Sequence, residues 1–549
     1  MYDYIIVGGG SAGCVLAARL SAHPGLRVCL LEAGPPDSSP FIRVPLGIVH
    51  LMMSKKLNWQ YFTEPQPELG NRRMFCPRGK TLGGSSATNA MIYTRGNRAD
   101  YDHWAALGNP GWAFDDVLPL FRRSEHHEAG GSAYHGIGGP LNVAPLRSPN
   151  PLSHAFVQAA MEAGFPFSED FNGPDQEGVN CYEVTQKNGE RWSAARAFLH
   201  PALGRPNLTV LTGAHAERVL FDGRRAAGVA FRRGGASDSI TARREVVLAG
   251  GAINSPQLLM LSGIGEPEQL ARHGIALRHA LPGVGRNLQD HLDVLVVQHC
   301  RRPVSLGISL RTLPAQVRRL YDYIAHRSGA LTSNSAEAGG FVRSSAEQSL
   351  PDIQFHFTPA RLDGHARTLR SAAFTLWGHG YALHACPLRP ASRGQVSLRS
   401  ADPLDPPRID PHYLSDRADL QAMIACVRSA RRVLASAPFA PYRGAEIFPG
   451  DAVQSDAEIE AFIRRKAETI YHPAGTCKMG HDPLAVVDHR LRVHGVEALR
   501  VIDASIMPTL IAGNTNAPTI MIAEKGADMI LEDARVQPAG TEAAAAAPH

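Results

Sequence analysis

A glycine-rich turn between a strand and a helix constrains the fold of this chain more than any other feature. Gly8, Gly10 and Gly13 form G-x-G-x-x-G directly after the apolar run 4–7, and helix-forming residues follow over 14–20. A second apolar run, 27–31, ends at Glu32. Strand, glycine turn, helix and strand in this order predict a βαβ unit with two parallel strands.

This unit predicts a dinucleotide site. Backbone amides and the dipole at the start of the helix favour a pyrophosphate, and glycine lets the backbone approach it closely. Glu32 follows Gly13 by nineteen residues and is placed to accept hydrogen bonds from a ribose hydroxyl. An acid at this position favours FAD or NAD over NADP. The expected cofactor contacts in the unit are Gly8, Gly10, Ser11, Ala12, Gly13, Glu32 and Ala33.

Composition narrows the classes of partner. The net charge of +5 is dispersed, with no basic arm or stripe, which argues against nucleic acid. The eight cysteines contain no Cys-x-x-Cys pair and no spacing suited to zinc, so we expect reduced thiols and no metal site. No apolar run approaches the roughly 18 residues of a membrane helix, and the first apolar run leaves no room for a signal peptide. These features predict a cytoplasmic protein, at most peripheral to the inner face of the membrane.

The length of 549 residues predicts two or three domains. Strand-like runs at 208–211, 217–221 and 228–231 indicate a three-stranded meander, followed by a buried strand at 245–249. Later strand-like runs alternate with Pro-rich loops and with helical patterns near 314–327 and 416–436. The second half of the chain therefore predicts a second, sheet-based domain.

Four motifs, the first of them the glycine turn already described, carry a family resemblance. They are GGGSAG with Glu32, GKTLGGSSATNAMIYTRG from Gly79, GAINSPQLLMLSGIG from Gly251, and YHPAGTCKMG from Tyr471 with VIDASIMP and GNTNAPTI after it. In this order they resemble the glucose-methanol-choline (GMC) oxidoreductases over roughly residues 3–530. The segments NWQYFTEPQ and AEAGGFVRS look most like choline dehydrogenases and bacterial dehydrogenases of aliphatic alcohols.

The resemblance implies an α/β fold in which a Rossmann-like FAD-binding domain is joined to a mainly antiparallel-sheet substrate-binding domain. We expect the FAD-binding domain to be discontinuous and to comprise residues 1–150, 190–299 and 490–535. The substrate-binding domain would comprise 151–189 and 300–489. The Ala-, Gly- and Pro-rich tail, 536–549, is expected to be disordered.

The resemblance also implies FAD contacts outside the first unit. In the second motif they are Thr81, Gly83, Gly84, Ser85, Asn89, Ala90, Met91 and Ile92. The backbone of Ala216 would meet the adenine, and Asp503 with Ala504 would meet the pyrophosphate and the ribityl chain. Thr88 stands where some choline oxidases carry a histidine that tethers the flavin. A threonine hydroxyl without an adjacent base is a poor nucleophile, so we expect non-covalent FAD.

Oxidising an alcohol requires a base for the hydroxyl proton beside the hydride acceptor. His472, in the loop sequence HPAG, matches the family's base, and an ordinary imidazole is mostly neutral at pH 7. The rate of flavin reduction should then rise with pH through the imidazole titration. The resemblance places Asn516 at the second active-site position, where its amide would hydrogen-bond the reacting oxygen. The segment 283–291 also resembles a family motif, but it receives no catalytic role.

Two residues are candidates for the substrate pocket. Glu337 would counter a substrate cation and His356 would line the pocket, although burial against an arginine or a backbone donor explains each equally well. Aromatic residues that would cage a quaternary ammonium, or simply pack the core, are Trp59, Tyr61, Phe355, Phe357 and Trp377.

The leading prediction is therefore FAD-dependent oxidation of a primary alcohol to an aldehyde, with electrons passed to a quinone or another acceptor. The open alternatives are choline as the substrate, oxygen as the acceptor, and a hydroxynitrile lyase on the same fold. Bleaching of the flavin by an alcohol separates the redox activities from the lyase.

Overall fold

Two seven-stranded sheets organise the residues that the computed structural model describes, 1–363 and 369–536. Their strands are β1 (Tyr2–Val7), β2 (Val28–Glu32), β3 (Gly178–Cys181), β4 (Leu208–Thr212), β5 (Ala214–Asp222), β6 (Arg225–Arg233), β7 (Ala236–Leu248), β8 (Leu292–Cys300), β9 (Ala338–Val342), β10 (Ile353–Thr358), β11 (Gly380–Pro387), β12 (Arg443–Phe448), β13 (Glu468–Thr469) and β14 (Leu499–Val501). Shorter ladders join Tyr61–Phe62 to Phe75–Cys76, Glu125–His127 to Leu141–Val143, Gln186–Lys187 to Glu190–Arg191, Ile264–Gly265 to His279–Ala280, and Arg286–Leu288 and Arg408–Asp410 to Gly394–Ser397.

The first sheet has the order β4-β2-β1-β7-β6-β5, with β14 paired to β7. Its β4, β2, β1, β7 and β14 are parallel, and Ile5 lies opposite Cys29 in the β1–β2 ladder. Both strands of that ladder are almost wholly buried, as their continuous apolar runs indicate for a parallel sheet covered on both faces. The predicted βαβ unit is therefore present with its glycine turn between β1 and the following helix.

The meander is displaced by one strand from its predicted position. The run at 208–211 is not its first strand, because β4 pairs in parallel with β2. The antiparallel meander is β5, β6 and β7. Its third strand, β7, continues into the parallel sheet beside β1, so the predicted separate buried strand at 245–249 is the end of the same strand. A strand with a polar first half and an apolar second half reads as two elements in the sequence.

Thirteen α-helices surround the sheets in the described residues. They are α1 (Ser11–Ser21), α2 (Pro40–Arg43), α3 (Ile48–Met53), α4 (Arg98–Ala106), α5 (Phe114–Ser124), α6 (Pro151–Glu162), α7 (Gly251–Leu261), α8 (Pro267–Arg272), α9 (Leu313–His326), α10 (Leu369–Leu376), α11 (Arg417–Ala435), α12 (Asp456–Lys466) and α13 (Asn516–Val536). Helices α1 and α13 pack against each other beside the first sheet, which brings the C-terminal part of the chain back to the first βαβ unit. None of the helices in the described ranges is both long and apolar enough to cross a membrane.

The second sheet is antiparallel throughout, with the order β12-β8-β11-β10-β9-β3 and β13 paired to β8. Helices α6, α11 and α12 contribute to the apolar core on this sheet. The predicted first domain extends to residue 299, but β8 is an interior strand of the second sheet. The boundary between the two domains therefore lies before Leu292, because the backbone of β8 is hydrogen-bonded to two strands of the second sheet.

The fold class is confirmed: a mixed α/β protein with a Rossmann-like sheet and a second, antiparallel sheet. The second sheet takes β3 from the middle of the first half of the chain, as a discontinuous arrangement requires. The other domain boundaries stay predictions. The tail predicted to be disordered falls outside the described residues from position 537 onward.

Candidate functional site

A cavity of about 370 Å³ is lined by residues from both sheets. The first sheet contributes the turn after β1 and the ends of β2 and β7, and the second contributes His356 on β10 and His384 on β11. The predicted residues that line it are Gly8, Gly10, Ser11, Ala12, Glu32, Ala33, Gly84, Ser85, Asn89, Ala90, Met91, Ile92, Ala216, Asp503, Ala504, Asn516, His356 and His472. One continuous space thus joins the dinucleotide motif to the proposed base.

Two helix N-termini meet at this cavity. Helix α1 begins at Ser11 and α13 begins at Asn516, and the Ser11 hydroxyl donates a hydrogen bond of 2.8 Å to the Asn516 side-chain oxygen. The unpaired amides and the positive dipole end of each helix favour an anion. Both ends together are suited to a pyrophosphate.

Glu32 lies at the end of β2 with its carboxylate in the cavity lining. It accepts hydrogen bonds from the backbone N–H of Gly9 (2.8 Å) and of Gly34 (2.7 Å). Burial raises the pKa of Glu32 to about 7, against the lowering effect of those two donors. A carboxyl group in this state gains from further hydroxyl donors, and the hydroxyls of a ribose supply them.

Asp503 joins the third and fourth motifs. Its carboxylate accepts hydrogen bonds from the Gly251 N–H (2.8 Å) and the Ser255 hydroxyl (2.6 Å), both at the start of α7, and from the Ser505 N–H (2.8 Å). These bonds hold the chain after β14 against the edge of the cavity, where Asp503 and Ala504 form part of the lining.

Three predicted cofactor residues lie behind the lining rather than on it. A side chain at Gly13 would place its Cβ 1.8 Å from the Gly8 carbonyl oxygen, so this glycine allows α1 to pack on β1. The Thr81 hydroxyl donates to the Pro35 carbonyl, and the Gly83 N–H donates to the Gly9 carbonyl. Gly13 and Gly83 thus shape the site through the backbone and Thr81 through its hydroxyl, and their direct contact with the cofactor stays a prediction.

These features fit a flavin dinucleotide. The helix N-termini suit its pyrophosphate, Glu32 suits the ribose, and the lining continues past Ala216 to the turn at 84–92. The turn is held by Arg191, a fully buried guanidinium that donates to the Ser86 and Asn89 carbonyl oxygens. The cavity therefore has a preformed place for each part of FAD.

His472 lies at the other end of the lining and is 7% exposed. Its backbone N–H donates a 2.7 Å hydrogen bond to Asp290, whose carboxylate also accepts from the hydroxyls of Tyr413 and Thr469. The loop that carries the imidazole is thus fixed from the segment 283–291, which had received no role.

The amide beside the imidazole belongs to Asn514. Its Nδ2 lies 3.1 Å from Nε2 of His472, and both residues line the cavity. The expectation that Asn516 occupies this position is wrong, because its side chain turns to Ser11 at the start of α1. Both asparagines belong to GNTNAPTI. The sequence alone does not show that α13 begins at the second of them, Asn516, and that the first, Asn514, lies in the loop beside His472.

His291 fixes the proton position on His472. The Leu388 carbonyl only accepts, so His291 donates through Nε2–H (3.0 Å) and its Nδ1 carries a lone pair. Burial lowers the pKa of His291 to about 4, which keeps it neutral. Its Nδ1 lies 3.0 Å from Nδ1 of His472 and accepts a hydrogen bond from the Nδ1–H of that residue. Nε2 of His472 therefore carries the lone pair, and the Nδ2 amide of Asn514 donates to it at 3.1 Å.

Burial, followed by the neighbouring His291 and His356, lowers the pKa of His472 well below its usual range. Among the described residues, the lining near the imidazole contains no carboxylate that would stabilise the positive charge of protonated His472. The neutral base form is thus the resting form of the residue.

Glu337 does not face the cavity. Its carboxylate accepts hydrogen bonds from the Asn150 N–H (2.6 Å) and from the hydroxyls of Ser153 (2.7 Å) and Ser333 (2.6 Å). It therefore ties the start of α6 to the loop before β9. The expectation of a partner for a substrate cation is wrong at this residue, because its acceptor sites are already used inside the protein.

His356 does lie in the cavity lining, 3% exposed, beside its β11 partner His384. Neither ring nitrogen makes a hydrogen bond of good geometry to the described residues. Burial, the larger effect, lowers the pKa of His356 to about 3, although the nearby Asn514 amide raises it. A neutral, buried imidazole whose ring nitrogens are not fully satisfied suits a polar group of a substrate. Of the aromatic candidates, Trp59 lines the cavity, Phe355 and Phe357 pack in the second core, and Trp377 is 53% exposed.

A dinucleotide site on one sheet and a neutral buried base on the other define a flavin-dependent oxidoreductase. The family model described as GMC oxidoreductase matches residues 2–293, and its C-terminal counterpart matches residues 390–523. The chain belongs to the GMC oxidoreductase family, and its cofactor is FAD.

Individual proteins resemble the chain over nearly its full length. It is 53% identical to the "Alcohol dehydrogenase (acceptor)" of Pseudomonas putida, with 97% of this chain and 96% of that protein covered. It is 47% identical to the mitochondrial choline dehydrogenase of Homo sapiens, with 96% and 89% covered. Among solved structures, pyridoxine 4-oxidase from Mesorbium loti matches with a TM-score of 0.88, 34% identity and coverage of 97% and 99%.

Proposed function

We propose that the protein oxidises a primary alcohol to an aldehyde and passes the electrons to a quinone or another acceptor. The bound FAD supplies the hydride acceptor. The observation that carries the proposal is the hydrogen-bonded chain from Nδ1 of His472 through His291 to the Leu388 carbonyl, which leaves the lone pair of His472 on Nε2, beside the Asn514 amide. The P. putida relative, an alcohol dehydrogenase by name, supports the same class of substrate.

The residues at this end of the cavity have separate roles in the proposed reaction. His472 takes the hydroxyl proton at Nε2, and His291 holds the imidazole in the tautomer that makes this possible. The Asn514 amide donates to the substrate oxygen and stabilises the charge that develops there. His356 is proposed to contact the substrate as well, since its ring faces the same space.

Anaerobic mixing of the holoenzyme with a panel of alcohols tests the proposal. We expect the flavin to bleach with primary alcohols and not with the corresponding ethers, which carry no hydroxyl proton for His472. Cleavage of a cyanohydrin without any bleaching would instead assign the lyase alternative. Reoxidation by oxygen, compared with a soluble quinone, then separates an oxidase from a dehydrogenase.

Choline should be a poorer substrate than its neutral carbon isostere, in which carbon replaces the quaternary nitrogen. Within the described residues, the only carboxylates on the lining are Glu32 and Asp503, both at the dinucleotide end. Arg78 also lines the cavity and lies near enough to contribute to the lowered pKa of His472. We expect the isostere to exceed choline in kcat/KM by about tenfold, the effect of one missing ion partner. A higher kcat/KM for choline would contradict this account of the cavity.

The two asparagines of GNTNAPTI should separate chemistry from cofactor binding. We expect Asn514→Ala to slow flavin reduction about 10- to 100-fold, the effect of losing a hydrogen bond to a charged group, with FAD retained. Asn516→Ala removes the bond to Ser11 and should weaken FAD binding, while bound flavin is still reduced at the original rate. Stopped-flow reduction and FAD content per chain measure the two effects, and the opposite pattern would restore Asn516 as the active-site amide.

FAD should be held without a covalent bond. Thr88 lines the cavity, and its hydroxyl is 3.4 Å from the Ser85 carbonyl, with no base in this contact to activate it. Acid precipitation should therefore release all of the yellow colour into the supernatant. Flavin fluorescence that stays with the washed, denatured chain would show a tether and contradict this reading of Thr88.

A further inference from the structure

Helix α9 carries an apolar face that points to solvent. Of its fourteen residues, Tyr323 is the buried one. Val317 is 74% exposed and Ile324 is 64% exposed. The exposed apolar residues recur every three or four positions along the helix and the turn before it: Leu310, Leu313, Val317, Leu320, Tyr321 and Ile324. Such spacing forms one continuous stripe about 20 Å long.

The chain around this stripe is strongly basic. Residues 301–327 contain six arginines and a single acid, Asp322. Arg311 and Arg318 are exposed, and the nearest acid to Arg318 is Asp322 at 3.8 Å. Exposed aliphatic residues bordered by arginines are typical of helices that lie in the surface of an anionic membrane.

We propose that α9 docks the protein on an anionic phospholipid bilayer, with the axis of the helix in the plane of the interface. Leu320 and its neighbours on the stripe enter the region of the acyl chains, and the arginines contact lipid phosphates. A second copy of the chain fits this surface poorly, because two such faces would bring the exposed Arg311 and Arg318 of both copies together. An acidic protein would satisfy the arginines but not the aliphatic stripe.

The segments that flank α9 also line the cavity. Before the helix, Leu306 donates a backbone hydrogen bond to Pro359, next to the lining residue Thr358. After the helix, residues 330–332 pack on residues 45–47, which lead directly into the lining residues Ile48 and Met52. The segments on both sides of α9 therefore contact residues next to the cavity lining.

Trp377 extends the same surface. It is 53% exposed and is joined to the start of the α9 region by the bridge between Ile308 and Trp377. Tryptophan favours the boundary between lipid headgroups and acyl chains. Docking through α9 would place the segments next to the cavity lining near the lipid surface, where a lipid-soluble acceptor could reach them; this consequence rests on the proposed function, whereas docking itself does not.

Flotation of the holoenzyme with lipid vesicles tests the proposal. We expect binding to vesicles of phosphatidylcholine with phosphatidylglycerol, much weaker binding to phosphatidylcholine alone, and weakening by salt. The triple variant Val317→Glu, Leu320→Glu, Ile324→Glu should lower the partition coefficient at least about tenfold. Its thermal midpoint should stay close to that of the parent, because these side chains lie outside the core.

A matched variant controls for added negative charge. Ile137→Glu, Leu203→Glu and Leu277→Glu alter residues that are 66%, 48% and 50% exposed at other places on the surface. We expect this triple variant to lose some binding free energy relative to the parent. That loss should be less than half of the loss seen in the α9 variant. Anaerobic reduction by an alcohol in solution should be equal in all three proteins, so a failure of the proposed chemistry is seen independently of docking.

Three outcomes would overturn the proposal: no binding of the parent to the anionic vesicles, equal loss in both triple variants, or a dimer in analytical ultracentrifugation that only the α9 substitutions dissociate. The last result would assign the face to contact between copies of the chain.

Discussion

Replacing His472 with alanine should slow anaerobic flavin reduction by at least about 100-fold, the usual effect of losing a general base. The residue is buried at the end of the cavity, and its hydrogen bond to His291 leaves the lone pair on Nε2, which would accept the substrate proton in place of the hydrogen bond from Asn514. FAD should remain bound, because the hydrogen bonds of Glu32 and of the N-terminus of α1 do not involve His472. Stopped-flow reduction by the best primary alcohol, with FAD content per chain, measures both effects.

His103→Ala is a suitable control, since His103 lies exposed on α4 and its side chain takes no part in the cavity lining. It should reduce its flavin at the parental rate. Reduction of the His472 variant within a few-fold of the parent would remove this residue from the mechanism and leave the bound alcohol without a base.

The pH dependence follows from the direction of the pKa shift. An ordinary imidazole would make the rate rise through pH 6.5, as the sequence alone predicts. Burial lowers the pKa of His472, so its neutral form persists to more acidic pH and the rate should fall only below the ordinary titration range. In the parent, reduction should therefore be level from neutral to mildly acidic pH. His291→Ala removes the acceptor of the Nδ1 proton and should lower this plateau, because the imidazole is no longer held in one tautomer.

The dinucleotide half of the site was predictable from sequence because its contacts are local. The turn after β1, the start of α1 and the acid at the end of β2 lie within one βαβ unit, so spacing along the chain sets spacing in space. The same holds for the turn at 84–92, whose Gly84 acts through its own backbone. Gly13 is the instructive exception: it belongs to the motif but serves helix packing, and a contact to Gly8 is visible only in the fold.

The substrate half depends on contacts between distant segments. His472 meets His291 across 181 residues of sequence and Asn514 across 42. Residue type alone made Glu337 a candidate for binding a cation, although the fold uses its carboxylate to join α6 to a loop. Its hydrogen-bond partners determine whether a buried carboxylate is available to bind a ligand. Partners from distant segments are not evident from the spacing of residues along the chain.

The second large effect, a loss of FAD affinity, is expected from Gly84→Ala. Gly84 has a φ of +52°, and a Cβ there would lie 2.7 Å from the Cα of Gly10, in the glycine turn after β1. The neighbouring Gly83 N–H already donates a 2.7 Å hydrogen bond to the Gly9 carbonyl, so the two turns are held backbone to backbone. An added methyl group must push the turns apart at the point where both line the cavity.

Gly70→Ala is a matched control for the backbone conformation. Gly70 has a φ of +66°, and a Cβ there would meet nothing within 4 Å. Both variants incur the cost of a left-handed alanine, about 1–2 kcal/mol of stability, but only Gly84→Ala adds overpacking of about 1–3 kcal/mol at the FAD site. We expect Gly84→Ala to weaken FAD binding about tenfold or more, and Gly70→Ala to keep full FAD content with a modestly lower thermal midpoint. Titration of each apoprotein with FAD measures the difference. Equal affinities would mean that the two glycine turns separate without cost, and the close contact between Gly10 and Gly84 would then have no part in shaping the cofactor site.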